Sequence, residues 1–156
     1  KIPVALTRTD IYKPEVHSTG KLEGEYLEIV NTPSGGAGPQ SGNWGWSNDT
    51  QLWWRNAATG DELATKFVLK EGGVYTVSAQ LTKAIDYGIV QFYINGKPAG
   101  EKFNGFYEAG VIPFKVDLGK HEITSGENTL SVKILGADKN AKPGNMAGID
   151  FLQFSK

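Results

Sequence analysis

The sequence predicts an all-β protein, folded as an antiparallel β-sandwich of jelly-roll type with about eight or nine strands. Two observations lead to this prediction. Apolar and polar residues alternate with a period of two in several runs, and turn residues separate those runs. Glycine supplies 20 of the 156 residues, often beside Asn or Asp, which is typical of many short strands joined by tight turns. No segment keeps a convincing helical period over ten residues.

The alternating runs place the strands along the chain, each with one face toward the core and one toward solvent. Four clear runs lie in the second half of the chain, at 74–81, 88–96, 111–118 and 128–135. Further candidates lie at 26–30, 51–55, 63–70 and 148–154. The segment from Thr32 to Gly42 is rich in Gly, Pro and Ser, so we expect a long loop there, at the rim of a binding site.

Length and organisation predict a single domain over residues 1–156, with its core between residues 22 and 154. No internal repeat and no linker interrupts the chain. The sequence begins without a signal peptide, which suggests a mature or excised part of a longer chain.

Composition excludes several classes of function. The net charge of −1 argues against a broad basic face for nucleic acid and against a polybasic membrane patch. No apolar run approaches the ~20 residues of a membrane span. The chain has no cysteine, so disulfides, thiol nucleophiles and zinc–thiolate sites are excluded.

All four tryptophans lie in one short segment, NWGWSNDTQLWWRN, from Asn43 to Asn56. In an extended strand Gln51 and Trp53 face one way and Leu52 and Trp54 the other, so one tryptophan of that pair should lie in or near the core. Two interpretations stay open for the cluster. It forms a platform on which the C–H face of a sugar ring stacks, or it packs the core and covers one end of the sandwich.

Two further segments combine aromatic with polar side chains, as a polyhydroxylated ligand requires. One is the connection 83–87 between two strands, and the other is the predicted loop 102–110. As alternatives, the first is only a turn and the aromatic residues of the second plug the sandwich end. The predicted stacking residues are Trp44, Trp46, Trp53, Tyr87 and Tyr107, and the predicted hydroxyl-binding residues are Gln51, Arg55, Lys83, Asp86 and Asn104. If Arg55 and Lys83 both face the site, an acidic sugar becomes more plausible.

Catalytic motifs are weak in this sequence. It contains two histidines, His17 and His121, and no Ser-His-Asp spacing, metal-ligand motif or phosphate-binding glycine motif stands out. Asp49, Asp86 and Glu108 could in principle pair to cleave glycosides, but linear sequence does not show how far apart two carboxylates lie. We therefore expect a protein that is not an enzyme.

Carboxylates near the two ends of the chain suggest a calcium site. Glu23 and Glu25 lie in an early strand and Asp150 lies in the last one. The first and last strands of a sandwich often lie side by side, which would bring these hard oxygen ligands together. The alternative is that all three are solvated charges at a sheet edge.

The order of several motifs resembles galactose-binding-like jelly rolls, namely carbohydrate-binding modules of the family 6 and family 35 kind. The motifs, between Leu22 and Phe154, are EGEYLEIV, DELATKFVLKEGGVYTVSAQLTK, VQFYINGK, ITSGENTLSVKILG and GIDFLQF. The resemblance implies calcium ligands at Glu23 or Glu25 and at Asp150.

A closer resemblance is to β-sandwich domains of bacterial polysaccharide-degrading enzymes, including those beside glycoside hydrolase family 172 catalytic domains. The matching residues are Trp46-Ser47, Gln51 to Trp54, Lys83 to Gln91, Tyr107, Val111 to Pro113 and Leu118-Gly119. It implies a non-catalytic module that binds a polysaccharide or oligosaccharide and targets a tethered catalytic domain, in a secreted or cell-surface bacterial protein.

Two other functions stay open. The first is a structural or oligomerisation domain of a glycoside hydrolase that binds no glycan itself, because exposed aromatic patches also mark protein interfaces. The second is a small glycoside hydrolase or lyase.

Overall fold

The structure, a computed structural model that describes residues 14–156, consists of two antiparallel sheets. Its strands are β1 (Lys21–Glu23), β2 (Glu28–Ile29), β3 (Gly36–Ser41), β4 (Thr50–Arg55), β5 (Glu62–Leu69), β6 (Gly73–Lys83), β7 (Ile89–Ile94), β8 (Lys97–Asn104), β9 (Ile112–Ile123), β10 (Gly126–Gly136) and β11 (Ala147–Ser155). Short 3₁₀ turns lie at Gly24–Tyr26 and Ser47–Asp49. The prediction of an all-β sandwich is confirmed, with eleven strands rather than eight or nine. Within residues 14–156, no helix is long and apolar enough to cross a membrane.

The larger sheet has the strand order β3-β4-β11-β6-β9, and β1 pairs with β11 alongside this path. The smaller sheet has the order β2-β5-β10-β7-β8. The last strand therefore lies in the middle of the larger sheet and contacts the first strand, with Glu23 opposite Phe151. The expected pairing of the first and last strands is confirmed for the residues that the structure describes.

One expected loop is in part a strand. Within the predicted loop from Thr32 to Gly42, residues Gly36–Ser41 form β3 and pair with β4 over its whole length. Pro39 fits there because β3 is an edge strand, and one side of its backbone has no neighbouring strand that needs an N–H donor. The extra strands missed from sequence are mainly such short or glycine-rich edge elements.

The core lies between the sheets and consists of the apolar faces of the alternating strands. Val77, Ala79 and Leu81 of β6 are at most 1% exposed, as their spacing predicts. Leu52 and Trp54 of β4 are also buried in the core, each 1% exposed. Full burial of a large apolar side chain contributes about 1.5–3 kcal/mol, so this layer dominates the stability of the sandwich. By the alternation of β4, Gln51 and Trp53 face away from the core, on the outer face of the larger sheet.

Candidate functional site

The connection between β3 and β4, residues 42–49, lies across the outer face of the larger sheet, and we call it the strap. Its base is closed by a backbone hydrogen bond from Gly42 N to Asp49 O of 2.8 Å. At the far side a Cβ placed on Gly45 would lie 3.9 Å from the Pro113 ring on β9. Between these points Trp46 is 4% exposed and lies against the sheet. The strap therefore covers polar side chains that the alternation of the strands points outward.

A chain of buried hydrogen bonds fixes the strap to the sheet. Trp46 Nε1 donates to Thr82 Oγ1 at 3.0 Å, and that hydroxyl donates to Gln51 Oε1 at 2.6 Å. Gln51 Nε2 donates to Gln40 Oε1 and to Tyr87 Oη, each at 3.0 Å. Burial raises the pKa of Tyr87 to about 12, so its hydroxyl stays protonated in this network.

Burial excludes three predicted residues as direct ligand contacts in this conformation. Trp46, Gln51 and Tyr87 are 4%, 0% and 5% exposed, respectively. A sugar ring needs an open aromatic face or a reachable polar atom, and these side chains offer neither. Their contribution is to hold the surface beside them in one arrangement. No sequence pattern predicts this burial, because a strap that covers an outer face has no local pattern of its own.

Trp44 is the exposed tryptophan of the strap, at 42%. Its ring lies over Gly42, where an added Cβ would meet the indole at 2.1 Å. The ring centroids of Trp44 and Trp46 are 5.0 Å apart, with the planes at 54°. Trp46 and Gly42 therefore hold the Trp44 ring in place at the surface.

Trp53 lies half-buried on the outer face of β4, between glycines on both neighbouring strands. Its register partners are Gly38 on β3 and Gly148 on β11. A Cβ added at Gly38 would have no heavy atom within 4 Å, so the space on that side of the indole is open. The indole Nε1 donates to Met146 Sδ at 3.3 Å, which fixes the ring. The strand-face prediction for Trp53 and Trp54 is confirmed.

Arg55 lies beside Trp53 as an exposed cation. Its guanidinium carbon is 5.2 Å from the Trp53 ring centroid, within range of a cation–π interaction. Across the strand pair it lies over Gly36, where a Cβ would be 2.7 Å from Nη1. No carboxylate among residues 14–156 forms an ion pair with it. We call the surface formed by Trp44, Trp53, Arg55 and Gly38 the tryptophan face.

The connections 84–88 and 137–146 are joined at the end of the sandwich nearest Trp53. Met146 N donates to Asp86 O at 3.1 Å, and Gly88 N donates to Met146 O at 2.9 Å. Because Met146 contacts both the Trp53 indole and the Asp86 backbone, Asp86 and Trp53 lie at the same end of the sandwich. The Asp86 carboxylate has no hydrogen-bond partner among the described residues and is half-buried.

Lys83 does not join the tryptophan face. The Lys83 ammonium lies 4.0 Å from the Phe114 ring centroid, on the inner side of the larger sheet, whereas Arg55 lies on the outer side. The condition under which the sequence favoured an acidic sugar is therefore not met. Asn104 Nδ2 donates to Asp138 at 2.9 Å, and Tyr107 is 37% exposed on the neighbouring loop.

Glu23, Glu25 and Asp150 form a buried acidic cluster beneath the other end of the strap. They are 9%, 6% and 1% exposed, which contradicts the alternative of solvated edge charges. Ser47 N donates to Asp150 Oδ1 at 2.9 Å, and Ser47 Oγ donates to Glu23 Oε2 at 2.8 Å. Lys21 Nζ lies 3.3 Å from Glu23 Oε2 and supplies a single positive charge.

The acidic cluster is incompletely satisfied. Glu23 Oε1 and Glu25 Oε1 are buried and have no hydrogen-bond partner among residues 14–156. Burial, with a smaller effect of the neighbouring carboxylates, raises the pKa of Glu25 to about 8 and that of Asp150 to about 6. A cleft of about 950 Å³ reaches the cluster at Glu23 and Lys21. Within residues 14–156 no three acidic or histidine side chains already converge on one metal position.

Solved structures share this architecture. No family model and no curated protein matches the sequence. A family 35 carbohydrate-binding module from an environmental isolate superposes with a TM-score of 0.60 and 12% identity, over 87% of this chain and 92% of that one. The fold is that of family 35 and family 36 carbohydrate-binding modules.

Two further structures show the same fold in different settings. A family 36 module in complex with calcium and xylotriose matches with a TM-score of 0.54 and 20% identity, over 86% of this chain and 98% of that one. A Paenibacillus xanthan lyase matches with a TM-score of 0.76 and 21% identity, over 87% of this chain. This chain spans only 13% of the length of that lyase.

Proposed function

We propose that this chain is a non-catalytic carbohydrate-binding module that holds a polysaccharide on the tryptophan face. The observation that carries the proposal is the placement of Trp53 between two glycines, with Arg55 beside it and open space on the side of Gly38. An indole whose neighbours on both adjacent strands are glycines can accept the flat C–H face of a sugar ring, and a nearby guanidinium can donate to its hydroxyls.

Trp44 gives the proposed site a second stacking surface. It lies over Gly42, four residues along the chain from Gly38, which corresponds to about 13 Å of extended strand. Two indoles at separate positions along one face suit several linked sugar rings better than a single ring. Asp86, which is half-buried at the end of the sandwich nearest Trp53, would supply a further polar contact. The fold shared with carbohydrate-binding modules supports this proposal.

Calcium is proposed as a structural ion at the acidic cluster. The cluster has hard oxygen donors in Glu23, Glu25 and Asp150, two of these oxygens have no partner in the described part of the chain, and the cleft supplies an entry path. The ion would neutralise buried negative charge, and its binding would require the side chains to turn toward a common point. The solved family 36 module is described with calcium, which adds to this argument.

We also propose that the chain works as a targeting domain beside a catalytic domain, in a secreted or cell-surface bacterial protein. Support comes from the solved enzymes in which the matching domain is a small part, 13% of the xanthan lyase and 27% of a Podospora anserina mannanase that carries a family 35 module.

The test is affinity electrophoresis and calorimetry on neutral and acidic polysaccharides with Trp53→Ala, Trp44→Ala and Gly38→Val. We expect each variant to weaken binding by tenfold or more, about 1.4 kcal/mol. Phe114→Ala is the matched control, because Phe114 is 42% exposed like Trp44 but lies on the inner side of the sheet. Equal binding by all four variants would remove the tryptophan face from the proposal.

The alternative function, an oligomerisation domain, predicts a different result. In that case the native protein binds no glycan, its mass in solution rises with concentration, and Trp44→Ala returns it to a monomer. New reducing ends or unsaturated products from any polysaccharide would instead show that the protein is an enzyme.

A further inference from the structure

Ser47 joins the acidic cluster directly to the strap. Its backbone N–H bonds to Asp150 on β11 and its hydroxyl bonds to Glu23 on β1. The same hydroxyl accepts a hydrogen bond from Lys21 Nζ at 2.8 Å. One residue of the strap therefore contacts two of the three carboxylates and the neighbouring ammonium group.

Ser47 is connected to the exposed Trp44 indole through Trp46. Trp46 immediately precedes Ser47 and is fixed to the sheet through Thr82. Trp44 in turn packs against Trp46. The position of the Trp44 face thus depends on two anchors, one at Thr82 and one at the acidic cluster.

The strap is the element best able to move when the charge of the cluster changes. Glu23 and Asp150 are held in paired strands, with Leu22 of β1 opposite Leu152 of β11. Within residues 14–156 no strand pairs with the strap between residues 42 and 49, and its residues Asn48 and Asp49 both have positive φ, at 55° and 52°. Backbone in that region is unfavourable for non-glycine residues and persists only where other contacts hold it.

We infer that a divalent cation bound at Glu23, Glu25 and Asp150 holds the strap in place through Ser47, and that Ser47 thereby couples cation binding to glycan binding at Trp44. Without the cation, the buried Glu23 Oε1 and Glu25 Oε1 have no partner among residues 14–156, and movement of the strap would let water reach them. With the cation, the carboxylates stay in place to accept both Ser47 hydrogen bonds. This inference rests on the proposed function for its glycan step.

The coupling is reciprocal. If the cation strengthens glycan binding by a given factor, the glycan must strengthen cation binding by the same factor. Typical couplings of this kind amount to about 5–150-fold, and we expect at least fivefold here.

The experiment uses the full chain, treated with chelator and then titrated with Ca²⁺. Calorimetry measures Ca²⁺ affinity, and acrylamide quenching reports exposure of the tryptophans. Affinity is measured with and without Ca²⁺ for each polysaccharide that binds in affinity electrophoresis. We expect Ca²⁺ to reduce quenching in the native protein and equally in Trp53→Phe, because the protected indoles belong to the strap. Ser47→Ala should still bind Ca²⁺ but lose most of the change in quenching and in glycan affinity, and Ser47→Thr, which keeps the hydroxyl, should restore both.

Two results would overturn the inference: no Ca²⁺ binding by the native protein, or Ca²⁺ binding that changes neither quenching nor glycan affinity. A Ser47→Ala variant with full coupling would overturn the role of Ser47. Failure of the proposed function is a separate outcome. If no glycan binds in either state, the proposed function is wrong, and the quenching measurement still decides whether the cation holds the strap.

Discussion

Replacing Thr82 with Val tests whether the buried hydrogen-bond chain fixes the strap. Thr82 is 1% exposed, and its hydroxyl is both the acceptor for Trp46 Nε1 and the donor to Gln51 Oε1. Valine has the same shape, so the change opens no cavity. It does leave one buried donor and one buried acceptor without a partner.

The expected cost follows from those two groups. Each buried polar group without a partner costs about 1–3 kcal/mol, which gives roughly 2–6 kcal/mol for the pair. Because the strap can shift and let water reach Trp46, we expect the lower part of this range, about 2–4 kcal/mol. In a domain of this size that corresponds to a fall in Tm of about 4–16 °C. Thr82→Ser keeps the hydroxyl and loses one buried methyl group, so it should cost only about 1 kcal/mol.

Urea unfolding followed by far-ultraviolet circular dichroism gives the free energies of unfolding, and acrylamide quenching gives the exposure of the tryptophans. Thr82→Val should increase quenching as well as lower stability, because Trp46 loses its anchor. If Thr82→Val is within 1 kcal/mol of Thr82→Ser and its quenching is unchanged, packing alone holds the strap and the hydrogen-bond argument is wrong.

Two other predictions concern stability. The raised pKa of Glu25, about 8 against 4.5, means that the cation-free folded protein keeps a proton that the unfolded chain has released, so its stability should fall as pH rises from about 5 to 8. The raised pKa of Asp150 adds to this effect in the lower part of the pH window. Melting curves in chelator at several pH values measure how Tm changes with pH. A Tm that rises with pH would contradict the burial argument. Gly148→Ala should destabilise by about 1–3 kcal/mol because its Cβ would lie 2.2 Å from Gln51 Oε1. Gly38→Ala, with open space around its Cβ, is the control and should change the melting curve little.

The sandwich could be predicted from sequence because strand periodicity records which side of each strand is buried. On β4 the alternation correctly separated Leu52 and Trp54, which are in the core, from Trp53 on the outer face. The proximity of Glu23 to the last strand was also predictable, from the general tendency of chain ends to meet in such folds. The first inference depends on the alternation of apolar and polar residues, and the second on the usual topology of sandwich folds. Both can be obtained from one sequence.

The burial of particular outward-facing residues could not be predicted in the same way. Gln51 points away from the core and yet is 0% exposed, because the strap and Tyr87 cover it. Whether Trp46 lies on the sheet or in solvent depends on a hydrogen bond to Thr82, 36 residues further along the chain. Alternation reports the direction of a side chain and says nothing about which loop lies above it.

The closed base of the strap has a consequence for protein engineering. The hydrogen bond from Gly42 to Asp49 holds the two ends of the loop together, and β3 and β4 continue from those ends as a paired ribbon. The tip can therefore be exchanged for other sequences while the framework is kept, provided that Trp46 and Ser47 remain as attachment points. A library randomised at Asn43 and Trp44, with Gly45 kept because its φ of 91° favours glycine, would sample new surfaces without touching the core, much as hypervariable loops do on antibody frameworks.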